Sequence, residues 1–266
     1  MIEGSNNNFR QANCGGNMII NDNYKRLEAV ENAYNKLASE RRNWQSKYDI
    51  NYQIMKMLCD YALLSRLDMV GKRVLNIGCF EPIDEVFWAS IISEWHAIDI
   101  NREAIEMAQR LASEALPAHL YSKLKFAQAD VTELNSQDGF YDIVLCFSTI
   151  DHIPGDDKRK KAISEMCRVL KPGGHLVITV PNRWDLYYSY YSNKLQKQGT
   201  AIFGYEYQFS PLELKKMLKS NGLIIVDCVS TAFNPYSYFD RILRKLKLAK
   251  MKIYFGTRFG FLAQKR

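Results

Sequence analysis

The chain has no stretch approaching the roughly 20 consecutive apolar residues that a membrane-spanning helix needs, and its Asn- and Gly-rich beginning lacks the apolar core of a signal peptide. Cysteine is sparse: Cys14, Cys59, Cys79, Cys146, Cys167 and Cys228 form no C-x-x-C pair and show no metal-ligand spacing. That pattern excludes a disulfide framework, no metal site is expected, and buried reduced thiols of a cytoplasmic protein fit it best. Acids are missing from the last 26 residues, which hold nine Lys or Arg. The net charge of +7 therefore belongs to one end, which argues against a uniformly basic nucleic-acid surface. No internal repeat is visible.

With 266 residues and 47% hydrophobic content, the chain can bury one large core, and a single α/β domain with accessory helices is expected. Residues 1–21 are polar and low in charge, with too little apolar surface to offset ordering entropy, and read as a flexible arm. Residues 22–70 read as N-terminal helices, with Leu27, Val30, Tyr34 and Leu37, then Ile54, Leu58, Tyr61 and Leu64, repeating at three to four residues. From residue 71 to 266, short apolar runs alternate with amphipathic stretches, as in a parallel sheet covered on both faces. Strands are predicted at Arg73–Ile77, Trp95–Ile100, Lys125–Gln128, Ile143–Phe147, His175–Val180, Leu223–Val229 and Gly260–Gln264. Helices are predicted at Asp84–Ser93, Arg102–Ala115, Lys158–Leu170 and Pro211–Ser220, with Lys171-Pro172-Gly173-Gly174 as a turn between helix and strand.

Three positions stand at predicted strand ends. Gly78 follows the first strand, where open α/β sheets bind ligands and a glycine lets the backbone come close. Asp99 ends the second strand, 21 residues on, where a carboxylate can accept both hydroxyls of an adenosine ribose. Asp130 follows the third, where a carboxylate can accept from an adenine amine while the Val131 amide addresses a ring nitrogen. Each acid alone reads equally well as a solvated strand end or a helix cap; it is their order that argues for one nucleotide site.

The runs VLNIGC, AIDINREAIEMAQR, AQADVTEL, FYDIVLCFSTIDHIP, RVLKPGGHLVITVPN and FGYEYQFSPLELKKMLKSNGLIIV together resemble the ordered motif set of class I S-adenosylmethionine (SAM) dependent methyltransferases, including methyltransferase type 11 and ubiquinone-pathway O-methyltransferases. The likeness covers about residues 71–230, and GFLAQKR resembles the family's final strand. It implies a Rossmann-like, doubly wound seven-stranded sheet with the last strand antiparallel, and SAM lying across the strand ends. The implied cofactor contacts are Gly78, Asp99 and Asp130, with Cys79, Phe80, Glu81, Ile100, Val131 and Phe147 beside them. Two departures stand out. Asn76 replaces the family's usual acid, and Phe80 and Pro82 replace a glycine-rich continuation that lets the methionine part of SAM sit close to the backbone. Glu81 is a candidate replacement carboxylate for the SAM ammonium.

His152, after the fourth predicted strand, is the candidate general base, because an imidazole exchanges a proton near neutrality; the other reading is a histidine that shapes the pocket. Asp151 would orient it or cap the next helix. By the same resemblance, residues at about 182–208 stand where ubiquinone-pathway O-methyltransferases carry a lid over the acceptor, with Trp184, Tyr187, Tyr188, Tyr191 and Tyr205 as acceptor contacts and Tyr207 as a further lining residue; the other reading is a helix that packs on the sheet and exposes its tyrosines. On a helical wheel Phe239–Phe255, within a basic insertion at about 235–256, separates apolar residues from Lys and Arg, so peripheral contact with an anionic membrane surface is one expectation and a packed insertion the other. The Asn/Asp-Pro-Pro-Tyr run of amino-methylating nucleic-acid enzymes is absent, which favours a small-molecule acceptor over nucleic acid. The expected activity is methyl transfer to an oxygen of a metabolite, lipid or glycan precursor. The rivals are an RNA or protein methyltransferase and a non-catalytic protein of the same fold; an NAD-binding protein is disfavoured because the second and third glycines of its fingerprint are missing.

Overall fold

The computed structural model describes residues 50–198, 205–231 and 256–266. The seven apolar runs form one sheet: β1 (Arg73–Ile77), β2 (Glu94–Asp99), β3 (Leu124–Gln128), β4 (Tyr141–Phe147), β5 (Leu170–Pro181), β6 (Leu223–Thr231) and β7 (Arg258–Lys265), in the order β3-β2-β1-β4-β5-β7-β6. β1 through β5 pair in parallel, and β7 runs antiparallel to both β5 and β6. The expected Rossmann-like sheet with a reversed last strand is the observed one. Burial explains the order. β4 is inaccessible along nearly its whole length and lies at the centre, whereas β3, with Lys125, Ala127 and Gln128 less enclosed, forms an edge.

Alternate side chains of the strands enter two cores. Val144, Cys146, Leu176 and Ile178 pack with Ile163 and Met166 of α5 (Asp156–Val169) and with Leu214 and Leu218 of α7 (Pro211–Ser220). Ile143, Leu145, Phe147 and Val177 pack with Leu63 and Leu64 of α1 (Ile50–Leu64) and with Ile105 and Ala108 of α3 (Arg102–Ala115). Each of the Val, Leu, Ile, Met and Phe side chains among them contributes about 1.5–3 kcal/mol of burial. Helix starts follow local chemistry. Asn101 accepts from the Ala104 amide at the head of α3, and Ser210 and Glu213 form a reciprocal capping box around Pro211 at the head of α7. Three further helices are α2 (Ile83–Trp88), α4 (Ala118–Tyr121) and α6 (Leu186–Lys197).

Several predicted boundaries move. α2 stops at Trp88 instead of Ser93 because the next residues bond to the approach to β1: the Gly71 amide donates to the Ile91 carbonyl and the Ser93 amide to the Lys72 carbonyl. α5 begins at Asp156, with Gly155 at φ 91° ahead of it and Asp156 and Asp157 in the first turn, where acids suit the helix dipole. The Lys-Pro-Gly-Gly segment is an excursion within β5: Leu170 pairs with Tyr141 and His175 with Ile143, and Gly173 at φ 77° lets the chain bulge out between them. The flexible arm, the first N-terminal helical pattern and the basic segment 239–255 lie outside the described residues. Among the described residues, no helix is long and apolar enough to cross a membrane.

Candidate functional site

At the carboxyl ends of β1 to β4 the backbone leaves a cleft of about 480 Å³, within the ~300–1,000 Å³ usual for ligand pockets. Its place follows from topology, because the chain winds outward from β1 through β2 to β3 and then returns to β4 on the other side of β1.

The first edge of the cleft is built mainly on backbone. Gly78 and Cys79 both donate to the Ile98 carbonyl, at 2.8 and 3.1 Å, which locks the end of β1 to β2. Gly78 has φ 74°, and a Cβ there would stand 2.2 Å from the Thr149 hydroxyl oxygen. Thr149 itself donates to the Ile77 carbonyl at 3.0 Å. The glycine is thus required by the neighbouring strand exit as well as by its own backbone angle. Phe80, at φ 40°, donates its amide to Asp99 Oδ2 at 3.3 Å, and the Asn101 amide donates to Asp99 Oδ1 at 2.9 Å. Asp130 Oδ1 accepts from the amide and hydroxyl of Thr132, both at 2.8 Å. Two carboxylates are therefore held by short local bonds with lone pairs left over, and both line the cleft.

Beneath this edge, Asn76 Nδ2 donates to Glu85 Oε1 at 2.7 Å, and the Trp95 indole donates to the same oxygen at 3.1 Å. Glu85 is fully buried, and burial, reinforced by nearby Asp84, pushes its carboxyl up to about 8, against the weaker opposing effect of those two donors. The site that lacks an acid at position 76 thus has one meeting that side chain from α2, in its neutral form at pH 7.

The second edge is tied by contacts far apart in sequence. A short helical turn, Ile150–His152, follows β4. His152 Nδ1 lies 2.7 Å from the Tyr205 carbonyl. A carbonyl only accepts, so Nδ1 carries the proton and Nε2 has the lone pair in the neutral ring. Nε2 lies 3.6 Å from Asp151 Oδ2. Asp151 is 1% exposed, and neither of its carboxylate oxygens has a hydrogen-bond partner among the described residues. Burial raises its carboxyl above the usual carboxylate range, opposed by the charges of His152 and Arg258. The Tyr207 amide donates to the Asp151 carbonyl at 2.7 Å, so residues 205–207 are laced to this turn. Buried Arg258 donates to Ser148, whose φ is 51°. Lys56 of α1 reaches the cleft, and burial lowers the pKa of its ammonium.

Of the residues read from the sequence, Gly78, Phe80, Asp99, Ile100, Asp130, Val131, Phe147, Asp151 and His152 are brought together around this one cleft. Cys79 is buried beneath it, its thiol pushed up by burial, and Glu81 lies in the loop beside it without lining it. Trp184, Tyr187, Tyr188, Tyr191, Tyr205 and Tyr207 are not lining residues. Tyr187 and Tyr191 turn to solvent, 78% and 51% exposed, because the opposite side of α6 is the one engaged by residue 206. Tyr205 acts at the cleft through its carbonyl, and Tyr207 packs between the Arg159 and Arg183 guanidinium groups. Sequence reasoning missed Lys56 and Glu206, both in the lining. Lys56 is one basic residue on an amphipathic helix, which no local pattern distinguishes. Among the described residues, no group of three His, Cys, Asp or Glu is arranged to hold a metal.

Residues 75–178 match the family described as Methyltransferase domain, and residues 141–247 match the family described as Bicoid-interacting protein 3. The ubiquinone biosynthesis O-methyltransferase of Vibrio parahaemolyticus is 25% identical over 209 residues, covering 76% of this chain and 85% of its own length. That of Thiobacillus denitrificans is 24% identical over 188 residues, covering 67% and 75%. Among solved structures, a SAM-dependent methyltransferase of Thermotoga maritima described as a possible histamine N-methyltransferase superposes with a TM-score of 0.60 at 15% identity, over 88% of this chain and 99% of that one. A SAM-dependent methyltransferase from Methanosarcina mazei superposes with a TM-score of 0.57 at 21% identity, over 77% and 96%.

Proposed function

We propose that the chain is a class I SAM-dependent methyltransferase whose cleft aligns SAM with a small-molecule acceptor and directs the methyl group to an acceptor oxygen. SAM supplies an activated methyl group on a sulfonium, so the protein's main tasks are alignment and proton removal. In this reading Asp99 accepts from the ribose hydroxyls, Asp130 from the adenine amine, and the Val131 amide addresses the ring. Lys56 receives the methionine carboxylate. The donor set fits the cofactor, because carboxylates stand at two strand ends and a lysine lines the same cleft, matching a molecule with two sets of donors and an acid.

At the acceptor edge, His152 Nε2 takes the proton from a hydroxyl as its oxygen becomes the nucleophile, and Asp151 stabilises the imidazolium. The ubiquinone-pathway relatives are O-methyltransferases by name, which supports oxygen as the methylated atom and a metabolite, lipid or glycan precursor as its carrier. Peripheral membrane contact through the basic segment belongs to the same proposal. The observation that carries the reading is that Asp99, Asp130, Lys56 and His152 all line a single cleft.

Calorimetry with SAM, followed by a panel of hydroxyl and amine acceptors with labelled SAM, tests it. Saturable SAM binding and label on a hydroxyl acceptor are expected. Absence of SAM binding would point to a non-catalytic protein of this fold, and label on RNA or protein alone would move the assignment to a macromolecular acceptor.

A further inference from the structure

A surface helix ordinarily buries its apolar side and shows water its polar side. α6 does the reverse. Tyr188, Ser192 and Gln196, spaced by four residues along one side, turn inward. Tyr188 and Ser192 donate to the Glu206 carboxylate, each at 2.8 Å, and the Gln196 amide exchanges two 3.1 Å bonds with the backbone of Glu206. Leu186, Tyr187, Tyr190 and Tyr191 form the outward stripe, 80%, 78%, 70% and 51% exposed. Lys194 and Lys197 fall on that same stripe at helical spacing. The helix contains no acid. Asp185, at its head, turns both carboxylate oxygens inward, to the Tyr188 amide and the Thr257 hydroxyl.

We propose that this stripe rests on an anionic lipid surface and that the acceptor is a lipid-borne molecule whose polar head enters the cleft that Glu206 lines. The inference rests on the methyltransferase reading for what happens in the cleft. Tyrosines with an apolar ring and a polar tip suit the headgroup level of a bilayer, and the lysines that continue the stripe in the last turn suit its negative charge. A 12-residue helix is too short to span a bilayer, so the contact is peripheral.

The basic segment of the sequence meets the fold at the same place. Between Thr231 and Gly256 the chain carries six Lys or Arg against one Asp. Where it re-enters, the Gly256 carbonyl accepts from Asn182 Nδ2 at 2.7 Å and Thr257 bonds Asp185, the residue that heads α6. The re-entry point of that segment and the head of α6 are therefore tied together at one edge of the domain. The inward stripe carries the contact to the chemistry. Glu206 lines the cleft, and the Tyr205 carbonyl beside it fixes the His152 ring.

The test is sedimentation of the full chain with vesicles of phosphatidylcholine alone and of phosphatidylcholine with an equal part of phosphatidylglycerol. Partition to the mixed vesicles, weakened by salt, is expected, with little to the neutral ones. Leu186→Ser with Tyr187→Ser and Tyr190→Ser should weaken that partition about tenfold or more. Lys194→Glu with Lys197→Glu is a second variant that leaves the apolar residues in place, and it should weaken partition in the same direction. Calorimetric SAM affinity should be unchanged in both. Equal partition to both vesicle types, no partition at all, or full partition by both variants would overturn the proposal. So would a dimer in light scattering that dissociates in the triple variant, because the stripe would then belong to a second copy. Lost SAM binding in the unmodified chain would defeat the methyltransferase reading and leave the vesicle result standing.

Discussion

The two edges of the cleft are built by different means. Along β1 and β2, the ligand-facing groups are held by bonds within a few residues or across one strand pair: Gly78 to Ile98, and Asp99 to the Phe80 and Asn101 amides. Along the exit of β4, the partners come from far away, with Tyr205 holding His152, Tyr207 holding the Asp151 carbonyl and Arg258 holding Ser148. The first edge is a property of strand ends and belongs to the fold. The second is assembled from residues 205–207, which follow α6, and from Arg258 at the start of β7, so it depends on contacts distant in sequence.

The sharpest test of that division is His152→Ala. If the second edge performs the chemistry, turnover should fall by about 10²–10⁴ while the SAM dissociation constant stays where it was. Undiminished turnover would remove the base and leave alignment as the whole mechanism. Next in size is Asp99→Ala, which deletes the carboxylate assigned to two ribose hydroxyls. At about 1.5–3 kcal/mol for the loss of one hydrogen bond to a charged group, SAM affinity should drop at least about 10- to 150-fold with the melting temperature little changed. An unchanged dissociation constant would show that the nucleoside is not held at the end of β2.

This division also explains what could be read from the chain beforehand. Gly78, Asp99 and Asp130 were legible because each sits at a fixed offset from an apolar run, and the order of runs fixes which strand ends meet. The start of α7 was legible for a similar reason, since Ser210, Pro211 and Glu213 are a local cap. The orientation of α6 was not. The aromatic cluster alone is compatible with a lid or with a helix that exposes its tyrosines, and the polar stripe Tyr188, Ser192 and Gln196 decides the facing through Glu206, which comes from beyond the end of the helix. Lys56 was invisible for the same cause: its meaning comes from a cleft formed by residues at least twenty positions away.

A third test concerns the floor of the first edge. Glu85 is fully buried, and its carboxyl is raised from an ordinary 4.5 to about 8. Between those values the unfolded chain has lost a proton that the folded chain keeps, so this group's contribution to stability falls as pH rises through that window. Below about 4.5 the penalty is absent. Glu85→Gln removes the titration while keeping an amide for Asn76 and Trp95 to meet. Chemical denaturation from pH 5 to 8 should therefore show a shallower loss of stability in the variant, by about 1–3 kcal/mol at the alkaline end. Asp84, held at about 7 by burial and by the charge of Asp60, would retain its own part of the slope. Identical slopes in the two proteins would mean that Glu85 is ionised inside the fold and that the floor carries a charge.

The smallest effect is expected at Phe80, in the loop that follows β1. Phe80 holds φ at 40°, a region that costs a residue with a side chain about 1–2 kcal/mol. Phe80→Gly relieves that strain but adds about 0.4–1 kcal/mol of unfolded-state entropy, so net stability should change by less than about 1 kcal/mol. The bond from residue 80 to Asp99 is made by the backbone amide and survives the substitution. If the first edge is already formed with the phenyl ring standing at its rim, SAM affinity should move by no more than about fivefold, under about 1 kcal/mol. A gain of about a hundredfold would instead mean that the ring occupies the space of the nucleoside. The first edge would then depend on a side chain yielding, and its contrast with the second would be one of degree.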